Sequence, residues 1–424
     1  MSEKLIIPPH IRFQCTFCGH CCHTWPVPLT EGDVARMQAV SQADEAPLPI
    51  AFLSERERKE SGLIGYTSAL LKDAEGKCSF LNEENLCRLH ESEAKPSMCR
   101  LFPYSFLHCP EGVLVGLSFA STGVLANSGA LLSDQEDHLS QMLSLFEELN
   151  PPLKSSTLTA WHMLEISAGL PISYEQYLPL QDIIAEEVET LVLAKGSRAG
   201  LPEVFVSLAQ LFFNLRTMAK NYGGGQVSDS GTADKTMDIY VLSTFLSTFL
   251  KQEESGQMTL ASRLVDRLAT VLKERPSLES LLSQDEVLSS ALAPLQLTQQ
   301  ERASAEMAEV HRLFARFAYV RIFSRLYFGP GFSGLSMTAG LGHLFLLLSL
   351  SWLRFKACLA MGDEGAEKNA EKPPGHLLKT ATEAVRLVDR QWTSLRYLDA
   401  NSKNMLEVVF GDEERPLRLL QLLQ

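Results

Sequence analysis

The stretch Phe13-Gln14-Cys15-Thr16-Phe17-Cys18-Gly19-His20-Cys21-Cys22 decides how the amino-terminal part of this chain is built. Three thiols at two-residue gaps can converge on one centre from a tight backbone loop, as they do in zinc knuckles and ferredoxin loops. A second group follows at Cys78, Cys87 and Cys99, with Cys109 further on in the same region. Eight of the nine cysteines therefore fall between Cys15 and Cys109. The ninth, Cys358, lies in an apolar helical context, where a thiol packs as a small hydrophobe.

Disulfides and metal binding compete for these thiols. Met1-Ser2-Glu3-Lys4 leads into a short Leu5-Ile6-Ile7 run that two prolines stop, so no secretory signal is read and a cytoplasmic, reducing location is expected. That favours metal over four disulfides. Cys15, Cys18, Cys21, Cys22, Cys78, Cys87, Cys99 and Cys109 are thus the candidate ligands for zinc, iron or an iron–sulfur cluster. The Cys-Pro ending of the ferredoxin run is missing, because Cys22 follows Cys21 directly. Neighbouring side chains point apart, so whether Cys21 and Cys22 serve one centre or two stays open. His20, His23, His90 and His108 flank the cysteines, and with eight thiols available they are expected beside the ligands or in solvent. Arg100, next to Cys99, is either a donor to thiolate sulfur or a surface ion pair.

Outward from the cysteines, Thr30 is placed to cap a short helix over Glu31 to Val40. Cys78-Ser79-Phe80-Leu81, a polar turn at Asn82 to Asn85, and Leu86-Cys87 read as a knuckle. Leu101 to His108 and Val113 to Phe119 read as a hairpin joined by Cys109-Pro110-Glu111-Gly112. Beyond residue 130 the chain is helix after helix. Capping boxes are expected at Ser133/Glu136, Ser173/Gln176 and Thr298/Glu301. Apolar faces repeat at helical spacing after Pro202, through Val204, Leu208, Leu211 and Leu215, and again from Leu260 to Leu272. The expected fold is mainly α: a small, irregular α+β cysteine-rich metal-binding domain over residues 1–130, then an α-helical bundle over 131–424 with polar loops near 223–235 and 362–375.

The bulk numbers exclude some functions. A formal net charge of -13 repels phosphate backbones, so no nucleic-acid partner is expected. Phe328 to Arg354 is uncharged up to the arginine, but its continuous apolar core, Leu344 to Leu350, is short and preceded by Gly329-Pro330-Gly331. A buried core helix is expected there rather than a membrane span. Arg312, Arg316, Arg321 and Arg325 place basic pairs at helical spacing, expected to form a solvated face, with an anionic substrate or partner as the rival reading. Gly223-Gly224-Gly225 follows a helix instead of preceding one, the wrong order for a phosphate-binding turn, and no catalytic elbow or dinucleotide fingerprint is present.

Three motifs in order resemble a known family. Phe13 to Cys22 resembles the CxxCxxCC signature of the YkgJ-type cysteine-cluster proteins. Cys78-Ser79-Phe80-Leu81 with Leu86-Cys87 is similar to that family's C-x-F-L…L-C segment. Lys95-Pro96-Ser97-Met98-Cys99-Arg100-Leu101-Phe102-Pro103 is similar to its R-P-x-x-C-R-x-F-P segment, with Lys95 in place of the arginine. Leu29-Thr30 with Asp33 matches the stretch that follows the first cluster. The family's further Cys-Pro after the hairpin is replaced here by Ser118-Phe119-Ala120-Ser121. The resemblance spans residues 11 to 123 and implies a zinc- or iron-chelating domain. One class of members, the flagellin lysine-N-methylases, joins that domain to a longer chain. Two functions follow: a metal- or cluster-carrying protein whose helical region docks a protein partner or substrate, or an S-adenosylmethionine-dependent protein-lysine N-methyltransferase. Neither a Gly-rich cofactor turn nor the CxxxCxxC spacing of radical enzymes is seen for the second.

Overall fold

The computed structural model describes residues 3–23, 27–55 except 42–47, 58, 65–150 except 75, 153–193, 201–222, 235–250, 270–271, 273–274, 277, 279–280, 283, 286–361 except 296, 374–392, 400–412 and 414–424. The polar loops expected near 223–235 and 362–375, and the apolar repeat from Leu260, lie almost wholly outside the described residues. The chain divides into two compact units, one of residues 1–157 and one made mostly of 158–424.

The first unit holds six short strands, β1 (Leu5–Ile6), β2 (Pro28–Leu29), β3 (Ile50–Phe52), β4 (Ser68–Leu70), β5 (Tyr104–Cys109) and β6 (Gly112–Leu117). Its helices include α1 (Glu31–Ser41), α2 (Ser97–Leu101), α3 (Thr122–Ala126) and α4 (Glu136–Leu149), and α5 (Leu153–Ala160) begins within it. The hairpin forms as its turn residues foretell: Tyr104 lies opposite Leu117 and Cys109 opposite Gly112, while β1 adds in parallel to β6. Leu101 belongs to α2 instead of the strand, because Pro103 has no N–H to give a ladder. A second sheet, in the order β2-β4-β3, covers a separate small core of Val27, Leu29, Met37, Leu70, Cys78, Leu81, Leu89 and Ala94. On α4, Leu139, Met142 and Leu143 recur at helical spacing and are buried, and the helix packs on α2 and β5.

The caps fared unevenly. Thr30 Oγ1 accepts from Asp33 N at 3.1 Å and Asp33 returns a bond to Thr30 N at 3.0 Å. Thr298/Glu301 and Ser173/Gln176 close reciprocally as well. Ser133 caps nothing: it lies inside a 3-10 turn, Leu132–Gln135, which leads directly into α4.

The second unit starts its regular structure with a hairpin, β7 (Glu165–Ser167) and β8 (Leu170–Pro171). Its helices are α6 (Tyr174–Leu193), α7 (Glu203–Tyr222), α8 (Lys235–Leu250), α9 (Glu286–Leu292), α10 (Gln299–Arg302), α11 (Ala305–Phe323), α12 (Met337–Met361), α13 (His376–Trp392), α14 (Ala400–Phe410) and α15 (Arg415–Leu423). The long apolar α12 packs against α7, α9, α13, α14 and α15. A helix apolar on all sides buries all sides. Among the described residues α12 is the helix long and apolar enough to cross a membrane, and 72% of its most apolar window is buried inside the protein. Gly342 lets the backbone of α14 close in, since a Cβ there would sit 2.0 Å from Phe410 O.

The arginine face is not solvated. Arg316, Arg321 and Arg325 are all buried on or just past α11. Arg321 pairs with the buried Asp389 of α13, and Arg325 bonds Tyr174 Oη while lying over the rings of Trp161, Tyr174 and Tyr177. Asp238 likewise receives Arg415 and Arg418 of α15. Buried charges must be matched this way, because an unpaired one costs several kcal/mol, about 3–5 when a partner is removed. Helical spacing showed that the arginines share a face but not that the face points inward.

Candidate metal centre

The first cysteine segment is a tight loop shaped by two left-handed residues, Phe17 at φ 54° and Gly19 at φ 71°. Gly19 is required twice over, since a Cβ there would lie 2.7 Å from Asn85 O in the knuckle. The loop ends in a 3-10 turn, His20–Cys22, with Cys22 N bonded to Gly19 O at 2.8 Å. Phe17 holds its strained position by stacking edge-on against His90, with ring centroids 4.5 Å apart.

The second segment is pinned to the first through the backbone. Cys78 N donates to Cys22 O at 3.1 Å, and Lys72 Nζ donates to the same carbonyl at 2.8 Å. Leu81 pairs with Cys87 across a turn in which Asn82 Oδ1 accepts from Leu86 N at 2.7 Å and Asn85 takes φ 60°. Cys99 arrives on α2, and one residue that the sequence reading did not rank as functional puts it there. Asp33 is 0% exposed and accepts from Ser97 N at 2.9 Å, Ser97 Oγ at 2.7 Å and Thr30 Oγ1 at 2.9 Å, and it also pairs with Arg36. One carboxylate thus caps α1 and clamps the start of α2. The Thr30-x-x-Asp33 spacing gave the cap; nothing local gave the bond to Ser97.

Seven of the eight candidate cysteines gather in this way. Cys22, Cys87 and Cys99 pack against the small core that contains Cys78. Cys15 is exposed, Cys18 and Cys21 are half-buried, and the Cys21 and Cys22 sulfurs lie 3.8 Å apart. Cys109 stands elsewhere, buried in the hairpin turn with its thiol bonded to Gly112 O at 3.3 Å. His20 is exposed, His23 pairs with Lys77 as an isolated bridge, and His90 lies 3.4 Å from Lys95 Nζ. His108 is drawn away between Glu3 and Glu147, at 3.2 and 3.5 Å. Among the described residues those three are the group whose possible ligand atoms all lie within 4.8 Å. The two carboxylates address different ring nitrogens, however, and Lys154 pairs with both, so the group is a charge cluster complete in itself.

The electrostatics favour protons on most of the thiols until something replaces them. The bond from Cys22 lowers the Cys21 thiol, and the same bond, followed by burial, raises Cys22. Burial, reinforced by the charges of Cys22 and Cys78, pushes Cys99 up to about 12. Burial raises Cys87 too. Against this, Lys72 and Lys95 favour thiolate at Cys22, and Lys95 does so at Cys87 and Cys99. Arg100 is exposed, so the cation that the sequence reading looked for beside Cys99 is Lys95. All nine cysteines are free thiols. Convergent soft sulfur donors, with ammonium groups to offset their charge, fit a zinc or iron centre.

No curated protein and no solved structure gives a significant match to the chain. The model of the CxxCxxCC family, described as "putative zinc- or iron-chelating domain", matches residues 14–124. The match begins one residue before the first cysteine of the loop and ends past Thr122, enclosing all eight N-terminal cysteines. The cysteine-bearing part of this chain is a domain of the CxxCxxCC family.

Proposed function

We propose that this protein carries a thiolate-bound zinc or iron centre that staples residues 15–22 to residues 78–99, and that its helical unit docks a protein partner or substrate. The observation that carries the reading is the Cys78 N to Cys22 O bond, which holds the two cysteine groups together through the backbone. When bound, the metal supplies the cross-link that short strands and a small core supply only weakly. The residues do the rest. Gly19 lets the loop lie against Asn85, Asp33 fixes the helix of Cys99, and Lys72 and Lys95 offset negative charge on sulfur. For docking, the support is a set of large apolar side chains left exposed on α6 and α7: Ile183, Val206, Phe213, Met218 and Tyr222. Metal analysis and an absorption spectrum on anaerobically purified protein test the reading. A brown protein absorbing at roughly 400 nm identifies an iron–sulfur centre, a colourless metal-loaded one identifies zinc, and a metal-free protein refutes it.

The protein-lysine N-methyltransferase alternative is supported by the family resemblance alone. It requires the metal-loaded protein to bind S-adenosylmethionine, which calorimetry measures directly. No binding heat removes it and leaves the metal-binding reading standing.

A further inference from the structure

The cysteines that converge are not equivalent. Cys22, Cys78, Cys87 and Cys99 share one apolar core, with Val27, Leu29, Leu81 and Leu89 around them. They also feel one another's charge: Cys99 responds to Cys22, Cys78 and Cys87. Both ammonium groups, Lys72 and Lys95, act on this set. Four thiolates on a divalent ion leave two negative charges, which two lysines match.

Cys15, Cys18 and Cys21 belong to none of that core. Their surroundings come from the hairpin side of the unit. Cys18 Sγ lies 3.0 Å from Thr122 Oγ1 at the start of α3, and Cys15 is near enough to Tyr104 of β5 to raise its phenol. Cys21 responds chiefly to Cys22 through their bond, then to burial and to the charges of Cys15 and Cys18. Neither lysine figures among the influences on Cys21. The exposure of Cys15 leaves this set facing water.

We infer that the array forms two metal centres: a closed one held by Cys22, Cys78, Cys87 and Cys99, and an open one held by Cys15, Cys18 and Cys21 whose fourth position is left to an exchangeable ligand. This deepens the proposed metal binding and rests on it. Four protein ligands with no open position mark a structural zinc site, whereas three protein ligands plus solvent mark a reactive or exchangeable one. The boundary between the two centres runs between adjacent residues, Cys21 and Cys22, whose sulfurs meet at 3.8 Å. One ion shared by that pair is the competing arrangement.

The test loads the reduced, metal-free full chain with Zn²⁺ alone and follows its capture by a chromogenic chelator. The expected result is about two equivalents bound, one captured fast and one only after denaturation. Cys15→Ser and Cys21→Ser should remove the fast equivalent and keep the slow one, with the helical content of the protein unchanged. Cys87→Ser should lose the slow equivalent. In Co²⁺-loaded protein, an added small thiol should shift the absorption of the fast centre only, because only that centre has a place for it. One equivalent released in a single phase, or loss of both equivalents from Cys21→Ser, overturns the division while leaving metal binding intact. No zinc bound by the wild-type chain refutes the underlying metal-binding reading instead.

Discussion

The two units solve the same problem of stability by opposite means. The helical unit buries α12 on every side and matches each deep charge, Arg321 with Asp389 and Asp238 with two arginines. The N-terminal unit has strands of two to six residues, two separate sheets and a core of eight fully buried side chains beneath its cysteines. A large continuous core stabilises itself through area, about 25 cal/mol per Å² of apolar surface buried. A small, divided one depends on cross-links. The difference teaches where metal matters: in the first unit it is part of the fold, and in the second it is irrelevant.

Stripping the metal should therefore give the largest effect and confine it to one unit. In small zinc modules the metal supplies about 10–16 kcal/mol of folding free energy. Chelation should remove hydrogen-exchange protection from residues 15–22, 78–81 and 97–101 while amides of α12 stay protected. Equal loss in both units would erase the contrast. The reverse perturbation is Gly342→Val, which puts a side chain where Phe410 O already stands. It should lower the stability of the helical unit by about 3 kcal/mol, read by thermal unfolding, with metal content unchanged.

Acid should also distinguish the units. His343 is buried among the helices, stacked on Phe332, and burial followed by the charge of Arg321 holds its pKa well below the ordinary value. A histidine kept neutral when folded binds its proton only when unfolded, so the stability it allows is complete above about pH 6.5 and is lost as the pH falls, at about 1.4 kcal/mol per unit. Urea midpoints of the helical unit measured from pH 7.5 to 5 should show this slope, and His343→Phe should flatten it. A smaller effect is expected from Lys95→Met. Losing the ammonium that favours thiolate at Cys22, Cys87 and Cys99 should weaken metal binding about tenfold, measured by chelator competition, with little change in fold.

What the sequence made legible was local. The Cys15 to Cys22 loop, the Thr30 cap, the hairpin turn at Pro110-Glu111 and the face of α7 each depend on residues a few positions apart, and each formed. Asp33 was legible as half of a cap and illegible as the clamp on Ser97, because that bond joins positions 64 residues apart. The arginines of α11 were misread for the same reason, their partners lying on other helices. Lys95 was noticed only as a substitute for arginine in a motif; its action on three sulfurs needs the fold. Cys109 counted with the other cysteines in one dimension and stands apart from them in three.

The central claim is that thiolates from both groups close on metal. Its most direct test is the metal content of the wild-type chain beside serine variants at Cys15, Cys18, Cys21, Cys78, Cys87 and Cys99, with Cys358→Ser as the control. The account predicts that each of the six variants carries less metal than wild type, that the Cys78, Cys87 and Cys99 variants also lose N-terminal stability, and that the control matches wild type. Full metal content in all six would contradict it.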